Sequence, residues 1–450
     1  MRPMFSRSRH PAGRFAPALS ALAAATLLAL PGLAGAQSLQ TLFEAARAYD
    51  ATYLAARTLA ESAQFKAKQV EAVANPQASL RSNATRNQFD YPKLGSGGTN
   101  VIGATASGSY AVFNRTNSVN IDQARKALLV AQADLETAEQ DLVIRVSQAY
   151  FDVLASQDAL GTTRANKAAI TEQLASAKRN FEVGTATITD TREAQAKFDL
   201  ATAQEIAAEN DLRTKRITLD QLVGQINVKP QPLTTPVVLP ATVPAEPEVW
   251  VTKADAEHPL IRKSRLSLEV AQLENDKARA AKMPTVDAVG TVGATYNNGL
   301  GVSLPGTTKA ATLGLVLNMP LYTGGNLENR IQETLSLEQK ARYDLEAARR
   351  GVTQGTRVAF FNLQSGLAQV KALEAAESSS KLALEATQLG YKVGVRVNLD
   401  VLNAQTQLFT TQRDLAKARY DVLVGTLKLR QAAGQVTADD VAAVNSLLAR

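Results

Sequence analysis

The stretch Phe181-Glu182-Val183-Gly184-Thr185-Ala186-Thr187-Ile188-Thr189-Asp190 returns, 210 residues on, as Tyr391-Lys392-Val393-Gly394-Val395-Arg396-Val397-Asn398-Leu399-Asp400. Working outward, the same gapless shift pairs Ala149 with Ala359, Phe151 with Phe361, Ala194-Gln195 with Ala404-Gln405 and Asp211 with Asp421. Leu219, Gln221, Gly224 and Gln225 come back as Leu429, Gln431, Gly434 and Gln435, while upstream the shift drifts and sets Pro76 on Pro284 and Phe113 on Tyr322. Self-similarity at a constant period marks an internal duplication. The chain therefore divides into a leader at residues 1–36, a first repeat at 37–228, a linker at 229–248 and a second repeat at 249–450. Pro230, Pro232, Pro236, Pro240, Pro244 and Pro247 fill the linker. Proline at that density bars helix and implies extended chain.

Proline is absent from Thr116 to Lys229 and from Leu321 to Arg450, so both stretches are free to be helical. In the first, Ile121, Ala124, Leu128, Ala131, Leu135, Ala138 and Leu142 alternate steps of three and four, which is a heptad seam. It restarts after an extra four-step at Val146, as a stutter does. A helix from Thr116 to Phe181 would reach roughly 100 Å at ~1.5 Å per residue. No compact domain holds such a rod. Heptads alone also fit a structural or adhesive envelope coiled coil without a pore, and the segments between the helices decide against it.

Each repeat places two strand candidates between its helical parts: Gln77 to Gln88 and Thr99 to Phe113, then Thr285 to Asn297 and Ala310 to Tyr322. Leu313, Leu315, Leu317 and Met319 alternate with Thr312, Gly314, Val316 and Asn318, a period of two. Each candidate is at least as long as the ~9–11 residues that a tilted membrane strand needs. One chain supplies four strands, whereas the smallest membrane barrels have about eight, and lipid tolerates no open sheet edge. Several chains must share one barrel.

The first 36 residues carry Arg2, Arg7, Arg9 and Arg14 with no Asp or Glu, then an Ala/Leu-rich run and Ala34-Gly35-Ala36. This is the pattern of a cleavable export signal. Those four arginines account for four of the formal +7, leaving +3. No cysteine is present, which removes disulfides, thiolate metal sites, cysteine nucleophiles and an N-terminal lipid anchor. With two histidines in all, no histidine-based metal centre or acid–base relay is expected, and His258-Pro259 reads as a helix start. Lys and Arg alternate with Asp and Glu along the helices, a solvated coiled-coil face and not a nucleic-acid stripe. No cofactor, no metal, no nucleic acid and no enzymatic activity is expected.

With these features in place the chain resembles the TolC family of outer-membrane efflux and type I secretion channels. The resemblance rests on Ala149-Tyr150-Phe151-Asp152-Val153-Leu154, the two stretches quoted first, Pro320-Leu321-Tyr322-Thr323-Gly324-Gly325, Asp400-Val401-Leu402-Asn403-Ala404-Gln405 and Ala418-Arg419-Tyr420-Asp421. It implies an α+β membrane protein: a homotrimer with a twelve-stranded outer-membrane β-barrel, four strands per chain, continuous with a long periplasmic α-helical barrel of coiled-coil hairpins. It also implies an exit duct for drugs, small molecules or proteins, with a periplasmic adaptor (membrane fusion) protein and an inner-membrane ABC or RND-type transporter as partners.

The same resemblance makes the two repeat-matched turns the periplasmic gate, with Thr189, Asp190, Tyr391, Arg396, Asp400 and Asn403 as its residues. Gly184 and Gly394 read as helix C-caps, and Asp190 as an N-cap with Glu193 completing a capping box. Beyond capping, Asp190 is expected to accept hydrogen bonds from Tyr391 and Arg396 and so lock the two hairpins together. Asp400 is expected to ring the pore with carboxylates, which favours cations, while Asn403 stands where close relatives carry a second aspartate. Val183-Gly184-Thr185 and Val393-Gly394-Val395 resemble adaptor-docking tips, where glycine permits close backbone approach.

Overall fold

The computed structural model describes residues 36–91, 95–234, 236–299 and 305–449. The leader, except for its last residue, lies outside them. The first half runs α1 (Leu39–Tyr49), α2 (Ala51–Glu71), β1 (Gln77–Tyr91), β2 (Gly95–Phe113), α3 (Arg115–Glu182) and α4 (Ile188–Val223). The second repeats that order as α5 (Pro247–Glu257), α6 (Pro259–Ala280), β3 (Thr285–Asn297), β4 (Gly306–Asn318), α7 (Asn326–Lys392) and α8 (Asn398–Ala432), and then adds α9 (Ala438–Asn445).

The differences from expectation have local causes. β4 ends at Asn318 and not at Tyr322, because Pro320 has no N–H for a ladder and restricts Met319 before it. β1 and β2 continue past their expected inner ends to the pair Tyr91↔Gly95. The linker stops short of residue 248, since Pro247 starts α5 at a position where the missing N–H would find no partner anyway. His258 opens α6, its Nδ1 accepting from the Leu260 N–H at 3.1 Å.

The four strands form one antiparallel sheet in the order β1-β2-β3-β4. Residues paired across strands share a face, so the register sorts the side chains. Leu80↔Ala106, Ala106↔Val292 and Val292↔Ala311 lie on one face, together with Ile102, Ala104, Tyr110, Tyr296, Leu313, Leu315 and Leu317. Ser79↔Ser107, Ser107↔Thr291 and Thr291↔Thr312 lie on the other, with Arg81, Asn83, Thr105 and Asp287. On that second face Ser79 and Ser107 are bonded at 2.8 Å and Thr291 and Thr312 at 2.5 Å. The apolar face is open in a single chain, with Leu313 90% exposed. Among the described residues β1 and β4 each keep one edge without a partner strand.

α3 has 68 residues and α7 has 67, about 100 Å each at ~1.5 Å per residue. α3 packs antiparallel on α4 and α7 on α8, giving two long hairpins whose turns lie far from the sheet. The main core sits midway, where Leu142, Val146, Phe151 and Leu154 of α3 meet α1, the end of α4 and Leu423 and Leu427 of α8. Tyr150 ties the linker down there, donating to the Gln231 carbonyl at 3.0 Å and accepting from the Gln231 N–H at 2.8 Å. Elsewhere the apolar clusters are small, each formed by a few side chains from three helices. This is why few aromatics suffice.

Candidate gate at the hairpin tips

Both turns leave their first helix in the same way. Val183 and Val393 are the C-caps, and Gly184 (φ 76) and Gly394 (φ 80) follow in the left-handed region that glycine enters without cost. The glycines thus stand one residue beyond the expected cap. Thr185 N donates to Asn180 O at 2.8 Å and Gly184 N to Phe181 O at 3.0 Å; Val395 N and Gly394 N repeat the pattern on Gly390 and Tyr391 at 2.9 and 3.1 Å. These are paired Schellman bonds that close the helix ends. At Gly390, a Cβ would lie 2.8 Å from Arg396 Cγ, so glycine makes room for the arginine stem to fold back over the helix end.

The turns differ in how the second helix starts. The N-cap of α4 is Thr187, and Asp190 is the third residue in, closing the box: Asp190 Oδ2 accepts from Thr187 N at 2.9 Å and Thr187 Oγ1 at 2.8 Å. The expected box of Asp190 with Glu193 is therefore displaced by three residues. Among the described residues, no hydrogen bond or ion pair joins Asp190 to Tyr391 or Arg396, so the expected lock is not formed within the chain. The cause is local: an orphan N–H three residues away engages the carboxylate at less entropic cost than a side chain on another hairpin. The N-cap of α8 is instead Val397, which offers no side-chain cap. Asp400, in its first turn, faces Arg396 at 3.6 Å in an exposed pair and favourably meets the helix dipole.

Near the tips, two other side-chain links join the hairpins among the described residues. Asn180 Nδ2 donates to Tyr391 Oη at 3.4 Å, and Lys197 Nζ donates to Asn403 Oδ1 at 3.0 Å. Beside them Leu402 is buried in a cluster with Ile170, Leu174 and Ala177 of α3 and Ala194 and Ala201 of α4. Of the expected gate residues, Tyr391 and Asn403 thus bridge the hairpins, Asp190 caps, Arg396 and Asp400 pair on one turn, and Thr189 is exposed. Asn180, Lys197 and Leu402 escaped the sequence reading. The one available signal was at Asn180, which the 210-residue shift sets against Gly390. Val183, Val393 and Val395 are 72%, 66% and 75% exposed, and Thr185 donates to Asn180 O at 3.1 Å.

Among the described residues no cluster of three or more His, Asp or Glu gathers as a metal site, and no helix is long and apolar enough to cross a membrane.

The family model described as outer membrane efflux protein matches residues 42–225 and again residues 250–435. The outer membrane protein TolC of Vibrio cholerae is 32% identical over 426 residues, covering 94% of this chain and 96% of that one. The alkaline protease secretion protein AprF of Pseudomonas aeruginosa is 31% identical over 322 residues, 70% of this chain and 65% of that one. Among solved structures, the outer membrane protein VceC of Vibrio cholerae superimposes with a TM-score of 0.76 at 20% identity, over 88% of this chain and 96% of that one.

Proposed function

The chain belongs to the outer membrane efflux protein family, and on that premise we propose that it is the outer-membrane exit duct of a tripartite efflux or type I secretion system. The observation that carries this reading is the sheet: an apolar face, a polar face and two open edges on one four-stranded wall. Three copies joined edge to edge close a twelve-stranded barrel with the apolar face in outer-membrane lipid and the hydroxyls inward. The six hairpins then continue as a helical barrel through the periplasm. Repeats at 37–228 and 249–450 around the linker make each subunit two quasi-equivalent staves.

At the far end the tips form the gate. Asp190 holds the start of α4 in the outer hairpin (α3–α4), Asn180–Tyr391 and Lys197–Asn403 tether the inner hairpin (α7–α8) to it, and Asp400 and Arg396 line the constriction. The exposed Val183-Gly184-Thr185 and Val393-Gly394-Val395 turns offer apolar docking surfaces to a periplasmic adaptor, which couples the duct to an ABC or RND-type transporter. The duct performs no catalysis; the transporter supplies the energy. The test is purification of the full chain and its insertion into planar bilayers. A heat-resistant trimer giving small, cation-preferring currents supports the reading, with Asn403→Asp strengthening the preference. A monomer without currents refutes it.

A further inference from the structure

We propose that Leu402 is the latch of this gate, and that the two buried amides flanking it, Asn398 and Gln405, set how readily it releases. The proposal rests on the reading of the tips as the gate. Leu402 is 0% exposed and is the α8 residue that enters the apolar cluster between α3 and α4. Asn398, four residues before it, and Gln405, three after, lie on the same helix face. Asn398 is 4% and Gln405 3% exposed. Neither Oδ1 nor Nδ2 of Asn398 has a hydrogen-bond partner, and Nε2 of Gln405 has none.

A buried amide without a partner has given up water for nothing. The closed contact therefore gains from Leu402, beside the equally buried Val401, and loses at both polar atoms of Asn398 and at the Gln405 Nε2, on a single face of a single helix. Swinging α8 away exposes the leucine but rehydrates Asn398 and Gln405, so the two arrangements are drawn toward balance. The amide atoms are fully enclosed within one chain, so neither a second subunit nor an adaptor reaches them while the contact holds. The Lys197–Asn403 bond is exposed and trades for water at little cost. A seam so composed responds to a partner with a modest preference for one arrangement.

The experiment records the open fraction of the purified full-length channel in planar bilayers, with heat-resistant trimer as the check on folding. Leu402→Ala is expected to raise the open fraction roughly tenfold or more, and Asn398→Leu and Gln405→Leu to lower it by a comparable factor. Asn398→Ala, which removes the amide without adding volume, is the second variant if the leucine disturbs assembly. A general loosening of the tip would move all of these upward, so the opposite signs are the signature. A separate arm bridges Lys197→Cys and Asn403→Cys with a short bis-maleimide, which finds no other thiol in this cysteine-free chain. Closure by the bridge with opposite shifts at 402 and 398 supports the latch. Closure by the bridge with no shift, or shifts of one sign, overturns the latch and leaves the gate standing. A bridge that leaves currents unchanged overturns the gate reading and the latch with it.

Discussion

Replacing Asp190 separates capping from locking. In the chain its Oδ2 takes both the N–H and the hydroxyl of Thr187, at 2.9 and 2.8 Å, while Thr187 Oγ1 accepts from Asp190 N at 3.2 Å. Asp190→Ala breaks a helix cap, a loss of about 1 kcal/mol. If ordering of the tip governs closure, that is about a fivefold rise in open fraction. Thr187→Ala breaks the same box, so the double variant should cost scarcely more than either, a coupling of about 1 kcal/mol. Arg396 is engaged elsewhere, 3.6 Å from Asp400 in an exposed pair that contributes about 0.3–0.5 kcal/mol. Asp190 and Arg396→Ser should then add, with a coupling within about 0.5 kcal/mol. Single-channel recordings of the parent and the five variants give both cycles. A coupling of Asp190 to Arg396 larger than its coupling to Thr187 would refute the capping account and place the carboxylate in a link across the hairpins.

Three further outcomes follow from other parts of the molecule. Leu315→Arg, on the apolar face of β4, should cost about 2–4 kcal/mol in lipid, while Thr312→Arg on the opposite face should be nearly neutral; urea unfolding in vesicles compares them. Asp50 is held below the usual carboxylate range first by the Arg145 guanidinium, at 2.8 and 2.9 Å, and also by the Tyr53 N–H. Its folded value is depressed, so its stabilisation is present above the ordinary carboxylate value and lost as pH falls through the folded value. Asp50→Asn should melt lower than the parent at neutral pH, and the gap should narrow in acid. Gly224→Ala should destabilise more than Gly184→Ala: both positions are left-handed, but only at Gly224 would a Cβ meet the Tyr49 ring, at 2.5 Å. The left-handed backbone alone costs about 1–2 kcal/mol and the overlap about 1–3 more, read as a difference in melting temperature.

What the sequence disclosed was what repeats or alternates. Heptads within a proline-free stretch gave α3 to within one residue at each end, because a stutter at Val146 shifts the seam without ending the helix and only a cap does so. Period two gave the strands, and β3 was read at its observed bounds, Thr285–Asn297. Errors fell where one residue serves two local rules. Pro247 reads as a helix breaker but also suits a first helical position, and Asp190 reads as an N-cap but works as the third residue of a box started by Thr187. The site was less legible, because its links join residues about 200 apart with no shared pattern. Lys197–Asn403 is a lysine and an amide on two solvated faces, indistinguishable in sequence from their neighbours. Leu402 looks like any other seam residue until the cluster around it is seen.

The duplication also bears on which hairpin the proposed gate would move. Two identical staves would pinch together or not at all, and here the copies have diverged at the tip. The outer hairpin is stitched along its length: Arg164 bonds Glu205 at 3.0 Å and Lys167 bonds Glu205 at 2.9 Å, with Lys167 also over the Phe198 ring. Nearer the tip, Ile170, Leu174 and Ala177 are buried, and α4 begins with a closed box. In the inner hairpin the last buried residue of α7 is Val370, and the tip-most side-chain bond between α7 and α8 among the described residues is Gln412 to Glu377 at 3.0 Å. Beyond it the end of α7 runs to Lys392 with no buried side chain, and α8 starts uncapped. Opening segments are drawn from the parts with the fewest buried contacts; at this tip that is α7, while α8 keeps Val401, Leu402 and Leu408 buried. On the proposed gate reading, the α3–α4 hairpin is then the fixed post and the α7–α8 hairpin the moving leaf, hinged near Val370 and held at its free end by Leu402, the half-buried Asn180–Tyr391 bond and the exposed Lys197–Asn403 bond.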